Sequence, residues 1–267
     1  MRVLVTRPAR EAQRWVADLQ QRGIDAVALP LLDISSAADE ESVRRAWHRM
    51  AEFQAVMFVS GNAVERYFMV RPADSSCWRR APAIADGPDM IDPRAWAPGP
   101  ATRDALVRAG VPVQSIDTPA QDSELFDSQA LLQEVGDQLA SGQRVLVVRG
   151  GDPQGRGVGR DWMAEQLTRR GVTVETVVAY TRKAPVWTPA QFELAQQGAL
   201  QSSLWLFSSS EAITHLHSLL PLQAWTDARA VATHPRIAQS ASDAGFGVVC
   251  LSRPTLADVV ASIESIR

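Results

Sequence analysis

Residues 144–185, RVLVVRGGDPQGRGVGRDWMAEQLTRRGVTVETVVAYTRKAP, decide how this chain folds. The run Val145–Val148 is rich in β-branched residues and too short for a helix, so it reads as a buried strand. Arg149-Gly150-Gly151-Asp152-Pro153 then breaks regular structure. A helix is expected from Arg160 to Arg170, because Met163 and Leu167 share one face and Gly171 supplies a stop. Val172–Val178 is a second β-rich run. Strand, glycine loop, helix and strand make one βαβ crossover, the unit from which parallel sheets are built. Tyr180, Thr181, Arg182 and Lys183 stand right after the last strand. Open α/β sheets bind ligands outside the carboxyl ends of their strands. The unit therefore aims two polar clusters, 149–156 and 180–183, toward a ligand.

The pattern recurs at the start of the chain. Val3–Val5 reads as a strand ended by Thr6-Arg7-Pro8, with Pro8 at a first helical position. Ala12, Trp15, Val16 and Leu19 share a face of a helix over 9–22, Gly23 closes it, and Ile24–Leu29 is the next strand. Arg7 takes the place of Arg149, and Gly23 that of Gly171. Leu31–Ser36 reads as a passage into a helix over 37–50. Ala55–Val59 is a strand, followed by the turn Ser60-Gly61-Asn62 and a helix from Ala63 to Val70. Residues 71–93, rich in Pro, Asp and Ser, read as loop. Gly99-Pro100-Ala101-Thr102 opens a helix ending near Gly110, Val111–Ile116 is a strand, and Ser128–Leu139 is a helix.

Beyond Tyr180 the order repeats. Thr188-Pro189-Ala190-Gln191 has the form of a capping box with proline first. The strand Leu204–Phe207, the turn Ser208-Ser209-Ser210 and the helix Glu211–Leu220 mirror the Ser60 segment. Ala232-Thr233-His234 leads to Gly245 over the same spacing as Ala97 to Gly110, and the helix Thr255–Ile266 echoes Ser128–Leu139. The chain reads as a degenerate duplication of one α/β half.

Charge and composition narrow the function. The net charge is −3, so no global field calls for nucleic acid, and an anionic partner must be met by local basic groups. The turns supply such groups. Backbone N–H groups at a helix N-terminus favour phosphate or carboxylate, and Ser60–Asn62, Gly99–Thr102, Ser208–Ser210 and Thr233-His234 all stand at strand-to-helix turns. Plain N-capping would select the same residue types. Gly150–Gly159 is neither a Walker loop nor a dinucleotide fingerprint and reads as a mobile loop. His215 and His217, two apart on a helix, face different ways and do not chelate a metal. Cys77 and Cys250 make no disulfide framework, which fits a reducing compartment. The opening MRVLVTRPAR lacks the long apolar run and cleavage site of a signal peptide, and no run approaches membrane length. The expectation is a cytoplasmic protein without membrane contact.

Taken in order, Val3-Leu4-Val5-Thr6-Arg7-Pro8, Phe58-Val59-Ser60-Gly61-Asn62-Ala63-Val64, Gly99-Pro100-Ala101-Thr102, Arg149-Gly150 with Gly171 and Tyr180, Phe207-Ser208-Ser209-Ser210 and Ala232-Thr233 resemble the uroporphyrinogen-III synthase family. The resemblance runs over nearly the whole chain and is loosest across 71–96. It implies two similar α/β domains, each a parallel sheet flanked by helices. One is discontinuous (1–34 and 182–267) and the other continuous (37–178), joined by linkers at 35–36 and 179–181. The residues alone favour two contiguous halves. The implied active site lies in the cleft between domains.

The implied reaction closes hydroxymethylbilane, a linear tetrapyrrole bearing acetate and propionate groups, into uroporphyrinogen III with inversion of ring D, without cofactor or metal. Tyr180 matches the family's tyrosine and is the expected proton donor to the departing hydroxyl. Arg7, Ser60, Gly61, Asn62, Gly99, Thr102, Arg149, Gly150, Ser208, Ser209, Ser210, Thr233 and His234 are the expected substrate-binding residues. The further expectation is a monomer that meets the preceding pathway enzyme only transiently. A non-catalytic two-lobed binding protein for an anionic ligand is the alternative reading, and a flavodoxin-like regulator a third. The latter wants an acidic phosphoacceptor cluster at strand ends, where only Asp33 stands.

Overall fold

The computed structural model describes every residue except 79–91, 121–122, 124–125, 153, 158–161, 201–202 and 267. In chain order the elements are β1 (Arg2–Val5), α1 (Ala9–Gln20), β2 (Ala26–Ala28), β3 (Asp33–Ser36), α2 (Glu40–His48), β4 (Ala55–Phe58) and α3 (Gly61–Met69). Then follow β5 (Arg94–Trp96), α4 (Pro100–Arg108), β6 (Ile116–Asp117), α5 (Ser128–Val135), β7 (Arg144–Gly151), α6 (Trp162–Arg169) and β8 (Thr173–Lys183). The last are α7 (Pro189–Gln197), β9 (Ser203–Phe207), α8 (Ser210–Leu219), β10 (Arg229–Ala232), α9 (Pro235–Asp243), β11 (Val248–Leu251) and α10 (Leu256–Ser265).

The chain divides into two compact units, one of Met1–Ile34 with Lys183–Arg267, the other of Ser35–Arg182. The first unit holds a five-stranded sheet in the order β11-β10-β9-β1-β2, with every neighbouring pair parallel. Alternation along β1 sends Val3 and Val5 to one face and Leu4 to the other. The Val3 face packs on Leu19, Ile24, Val259 and Ile263. The Leu4 face packs on an aromatic group in which Trp205 stacks with Phe207 and meets Trp225 edge-on. Each such fully buried side chain is worth about 1.5–3 kcal/mol of apolar transfer.

The second unit holds a six-stranded sheet in the order β3-β8-β7-β4-β5-β6. The pairs β8–β7, β7–β4, β4–β5 and β5–β6 are parallel. Met57, Val145 and Val147 pack with Leu131 and Leu167 in one cluster. An aromatic cluster of Trp47, Phe58, Tyr67, Phe68 and Trp78 forms another. The five-strand order of the first unit reappears here when β11, β10, β9, β1 and β2 are matched to β6, β5, β4, β7 and β8. Gly23 and Gly171, and Gly110 and Gly245, end equivalent helices with positive φ. The duplication is thus visible in the topology, but with swapped chain order: the arginine strand comes first in one unit and near the end of the other.

Several local expectations are corrected. β7 does not stop at Val148 but runs through Gly150 and Gly151, which pair with Tyr180 and Thr181 of β8. β8 accordingly runs to Lys183, so Tyr180–Lys183 lie within the strand rather than after it. The stretches 35–36 and 179–181, expected as linkers, have strand conformation in β3 and β8, and the boundaries between the two units fall beside them, at 34/35 and 182/183. The expected strand at 111–116 shrinks to β6, preceded by a 3-10 turn at Val113–Ser115 that follows the fixed φ of Pro112. Pro8 is the N-cap of α1 rather than its first residue. α2 starts at Glu40, where the Asp39 side chain accepts from Ser42 N–H. The capping box at Thr188 and Gln191 is present as read. Most of the expected loop at 71–93 lies outside the described residues.

Candidate functional site

Parallel strands end on the same edge, so each unit gathers its strand-to-helix turns at the carboxyl edge of its own sheet. In the second unit the register carries Phe58 opposite Val148, and Gly150 opposite Tyr180. This brings Ser60, Gly150 and Tyr180 into one row across three strands. A bulge puts them there. Arg149 pairs with Val178 and Gly150 with Tyr180, so Ala179 is the extra residue in β8. Without it the alternation along β8 would send the Tyr180 side chain to the other face.

Gly150 makes the row possible. A β-carbon on Gly150 would stand 2.5 Å from Tyr180 Cζ and 2.8 Å from its hydroxyl oxygen. Only a residue without a side chain lets the phenol cross β7. The ring is 3% exposed, and its hydroxyl lies 3.1 Å from Ser60 Oγ. Ser60 is the N-cap of α3, and its Oγ accepts from Ala63 N–H at 3.2 Å. Ser60 Oγ thus takes this backbone bond and shares a second hydrogen bond with the Tyr180 hydroxyl, in which either oxygen can donate. The chain Ala63 N–H to Ser60 to Tyr180 ends at the positive end of the α3 dipole.

Arg149, 6% exposed, sits on β7 beside this row, and Gly157 lies against its side chain. The described residues after β7, in the stretch expected as a mobile loop, are joined by hydrogen bonds into a turn. Asp152 Oδ1 accepts from Gln154 and Arg156 N–H, and Gly151 bridges to Gly157. The sequence carried a signal for it, an Asp three residues before a Gly, which is Asx-turn chemistry. Residues 153, 158 and 159 of that stretch are outside the described residues.

At the same edge Gly99 N-caps α4, whose first residue Pro100 has no N–H to offer, and the Thr102 N–H donates to the Gly99 carbonyl. Thr102 is 5% exposed, which turns its side chain inward. Gly61 and Asn62 form the first turn of α3 beyond Ser60.

The first unit has the counterpart edge. Arg7 stands two residues past the end of β1, 6% exposed, with its guanidinium 4.4 Å over the Trp15 ring and Nη1 3.3 Å from Glu11. Burial pushes its pKa down from the arginine range, with Glu11 acting in the opposite sense. Trp15 packs partly buried against the core of this unit and is also the platform of this cation, and the i,i+4 spacing of Arg7 and Glu11 was the signal for the pair. Ser208, Ser209 and Ser210 open α8, and the Ser209 N-cap makes no side-chain capping bond. Thr233 N–H is taken by the Phe207 carbonyl. His234 Nδ1 accepts from Arg236 N–H at 3.1 Å, so the neutral ring carries its proton on Nε2, and α9 opens with Pro235. Of the four turns read as anion cradles, then, the α4 and α9 turns lack a first-position donor, while the α3 and α8 turns keep one.

A family model described as "Uroporphyrinogen-III synthase HemD" matches residues 13–261. The chain belongs to the uroporphyrinogen-III synthase family. The uroporphyrinogen-III synthase of Chlorobaculum parvum is 26% identical over 154 residues, 55% of this chain and 52% of that protein. The aligned stretch thus spans about half the length of this curated relative. Two solved structures share the fold. A mutant uroporphyrinogen III synthase from Thermus thermophilus superposes with a TM-score of 0.54 at 16% identity, covering 100% of this chain and 98% of that one. The uroporphyrinogen-III synthetase of Helicobacter pylori gives 0.54 at 16% identity, covering 100% of both chains. These likenesses carry the two-domain α/β architecture of the family to this chain.

Proposed function

We propose that this chain converts hydroxymethylbilane to uroporphyrinogen III, expelling the terminal hydroxyl as water and inverting ring D. The family match over residues 13–261 is the observation that carries the reading. The Ser60–Tyr180 pair supplies its chemistry. Loss of hydroxide from a substrate carbon is slow without a proton. Tyr180 gives that proton, and the phenolate left behind is held by the Ser60 hydroxyl at the N-terminus of α3. Ser60 needs no reorganisation for this, because its bond from Ala63 already orients it. Arg149 with the α3 turn, and Arg7 with the α8 turn, are each groups of a kind that can take a substrate carboxylate. Arg forks and backbone N–H groups suit planar carboxylates. Arg7, fixed on Trp15, loses little side-chain entropy when it takes such a group.

The substrate is intrinsically reactive, so holding the bent geometry that selects ring inversion is the larger part of the catalysis. The reading includes a cytoplasmic monomer that acts without cofactor and meets the preceding pathway enzyme transiently. Among the described residues no helix is long and apolar enough to cross a membrane, and both Cys77 and Cys250 are free thiols. The test is a coupled assay with freshly made hydroxymethylbilane that scores isomer III against the isomer I formed spontaneously. Isomer III in catalytic amounts is the expected product. Isomer I alone, at the spontaneous rate, would reject the reading and favour a binding protein.

A further inference from the structure

We infer that Asp152 is a positioning residue: it closes a turn over Arg149 and sets the angle at which that guanidinium meets a substrate carboxylate. The inference rests on the functional reading above. Both carboxylate oxygens are engaged. Oδ1 accepts from the N–H groups of Gln154 at 3.0 Å and Arg156 at 2.9 Å, and Oδ2 accepts from Arg156 Nε at 2.8 Å. Asp152 N–H donates to the Arg156 carbonyl at 2.9 Å, and Gly155 N–H to the Asp152 carbonyl at 2.9 Å. The carboxyl group is thus the hub of the turn.

Three glycines let the turn close down. A β-carbon on Gly151 would stand 2.8 Å from the Arg156 carbonyl oxygen, and one on Gly157 would stand 3.2 Å from Arg149 Cδ. Gly155 has φ +78°, and its side-chain direction points at Ala38 Cβ, 3.2 Å away, so the turn also rests on the segment before α2. Gly157 is exposed and Arg149 is 6% exposed. The turn is therefore the outer wall of the Arg149 side chain. Its position follows from the Asp152 bonds together with the Gly151–Gly157 bridge, which anchor it among the described residues. Arg156, whose side chain is 78% exposed, is carried to the same rim by its bond to Asp152.

The test measures KM and kcat for hydroxymethylbilane in Asp152→Ala, Asp152→Asn and Gly157→Ala, with thermal unfolding as the control for folding. A group that holds substrate and transition state alike changes KM and leaves kcat. Asp152→Ala is expected to raise KM about tenfold, the worth of one misaligned charge-assisted hydrogen bond, with kcat within about twofold. Asp152→Asn keeps an oxygen for the two backbone N–H groups and is expected to stay within about threefold of the parent KM. Gly157→Ala leaves Asp152 intact, crowds Arg149 directly, and is expected to reproduce the KM rise even where Asp152→Ala folds poorly. In an Arg149→Ala background, Asp152→Ala is expected to add less than about twofold, because residues acting through one group are not additive. An unchanged KM in folded Asp152→Ala and Gly157→Ala, or a full tenfold rise on top of Arg149→Ala, overturns the inference. Binding of uroporphyrin III, followed by tryptophan fluorescence quenching, reads the same Kd shift without turnover. A parent that makes no isomer III but shows that shift rejects the functional reading and keeps the role of the turn.

Discussion

Gly150→Ala tests the geometry of the Ser60–Tyr180 row most directly. The added methyl carbon would lie 2.5 Å from Tyr180 Cζ and 2.7 Å from Cε2. Carbon atoms pack at about 3.5–4.0 Å, so the ring must withdraw by more than about 1 Å. β7 cannot retreat instead, because it is paired with β4 on one side and β8 on the other. A withdrawal of that size lengthens the 3.1 Å contact between Tyr180 and Ser60 to about 4 Å, which is no longer a hydrogen bond. The stability cost combines overpacking, about 1–3 kcal/mol, with one lost buried hydrogen bond, about 1 kcal/mol. The catalytic cost is larger in proportion. A displaced general acid forfeits about 10²–10⁴ in kcat. The assay pairs kcat for isomer III with urea unfolding. The reasoning fails if folded Gly150→Ala keeps kcat within about threefold of the parent, a barrier change of only about 0.7 kcal/mol.

Tyr180→Phe keeps the ring against Gly150 and removes the proton, so kcat should fall by about 10²–10⁴ with little change in unfolding temperature, and isomer III should remain the product; a parent-like kcat would demote Tyr180 to packing. In α3, Gly61→Pro removes a backbone N–H at a position where proline is tolerated, as Pro100 and Pro235 show in α4 and α9, so KM should rise more than in Ser60→Ala, which leaves every N–H in place; equal KM values would contradict an anion site built from backbone groups. Glu175 is hydrogen-bonded to Arg49 and Arg144, and the Arg49 bond leads in holding its carboxyl below the usual range. Its folded pKa lies below the unfolded value of about 4.3, so its contribution is complete above that pH and is lost as pH falls through the folded pKa. Urea midpoints of the parent should therefore drop on acidification below about pH 4.5, and Glu175→Gln should flatten that limb; identical acid profiles would remove Glu175 from the account.

The kind of fold was already legible in the order of residues. Local pattern suffices for that: a β-branched run such as Val145–Val148, a glycine after a helix such as Gly171, and the alternation of such segments leave a parallel sheet as the only way to bury every strand. The duplication was legible for the same reason, since Arg7 and Arg149, or Ser60 and Ser209, recur at matching distances from their strands. Strand ends were not legible. Gly150 and Gly151 look like breakers in one dimension, and only the neighbouring β8 turns them into strand by offering carbonyl and N–H partners. Tyr180 was read as following its strand because nothing local shows that β3 and β7 flank β8 and carry it to Lys183. The row of Ser60, Gly150 and Tyr180 belongs to the tertiary structure alone. It joins residues far apart in sequence through two strand registers and one bulge at Ala179, and a bulge is a property of a pair of strands that neither strand announces by itself.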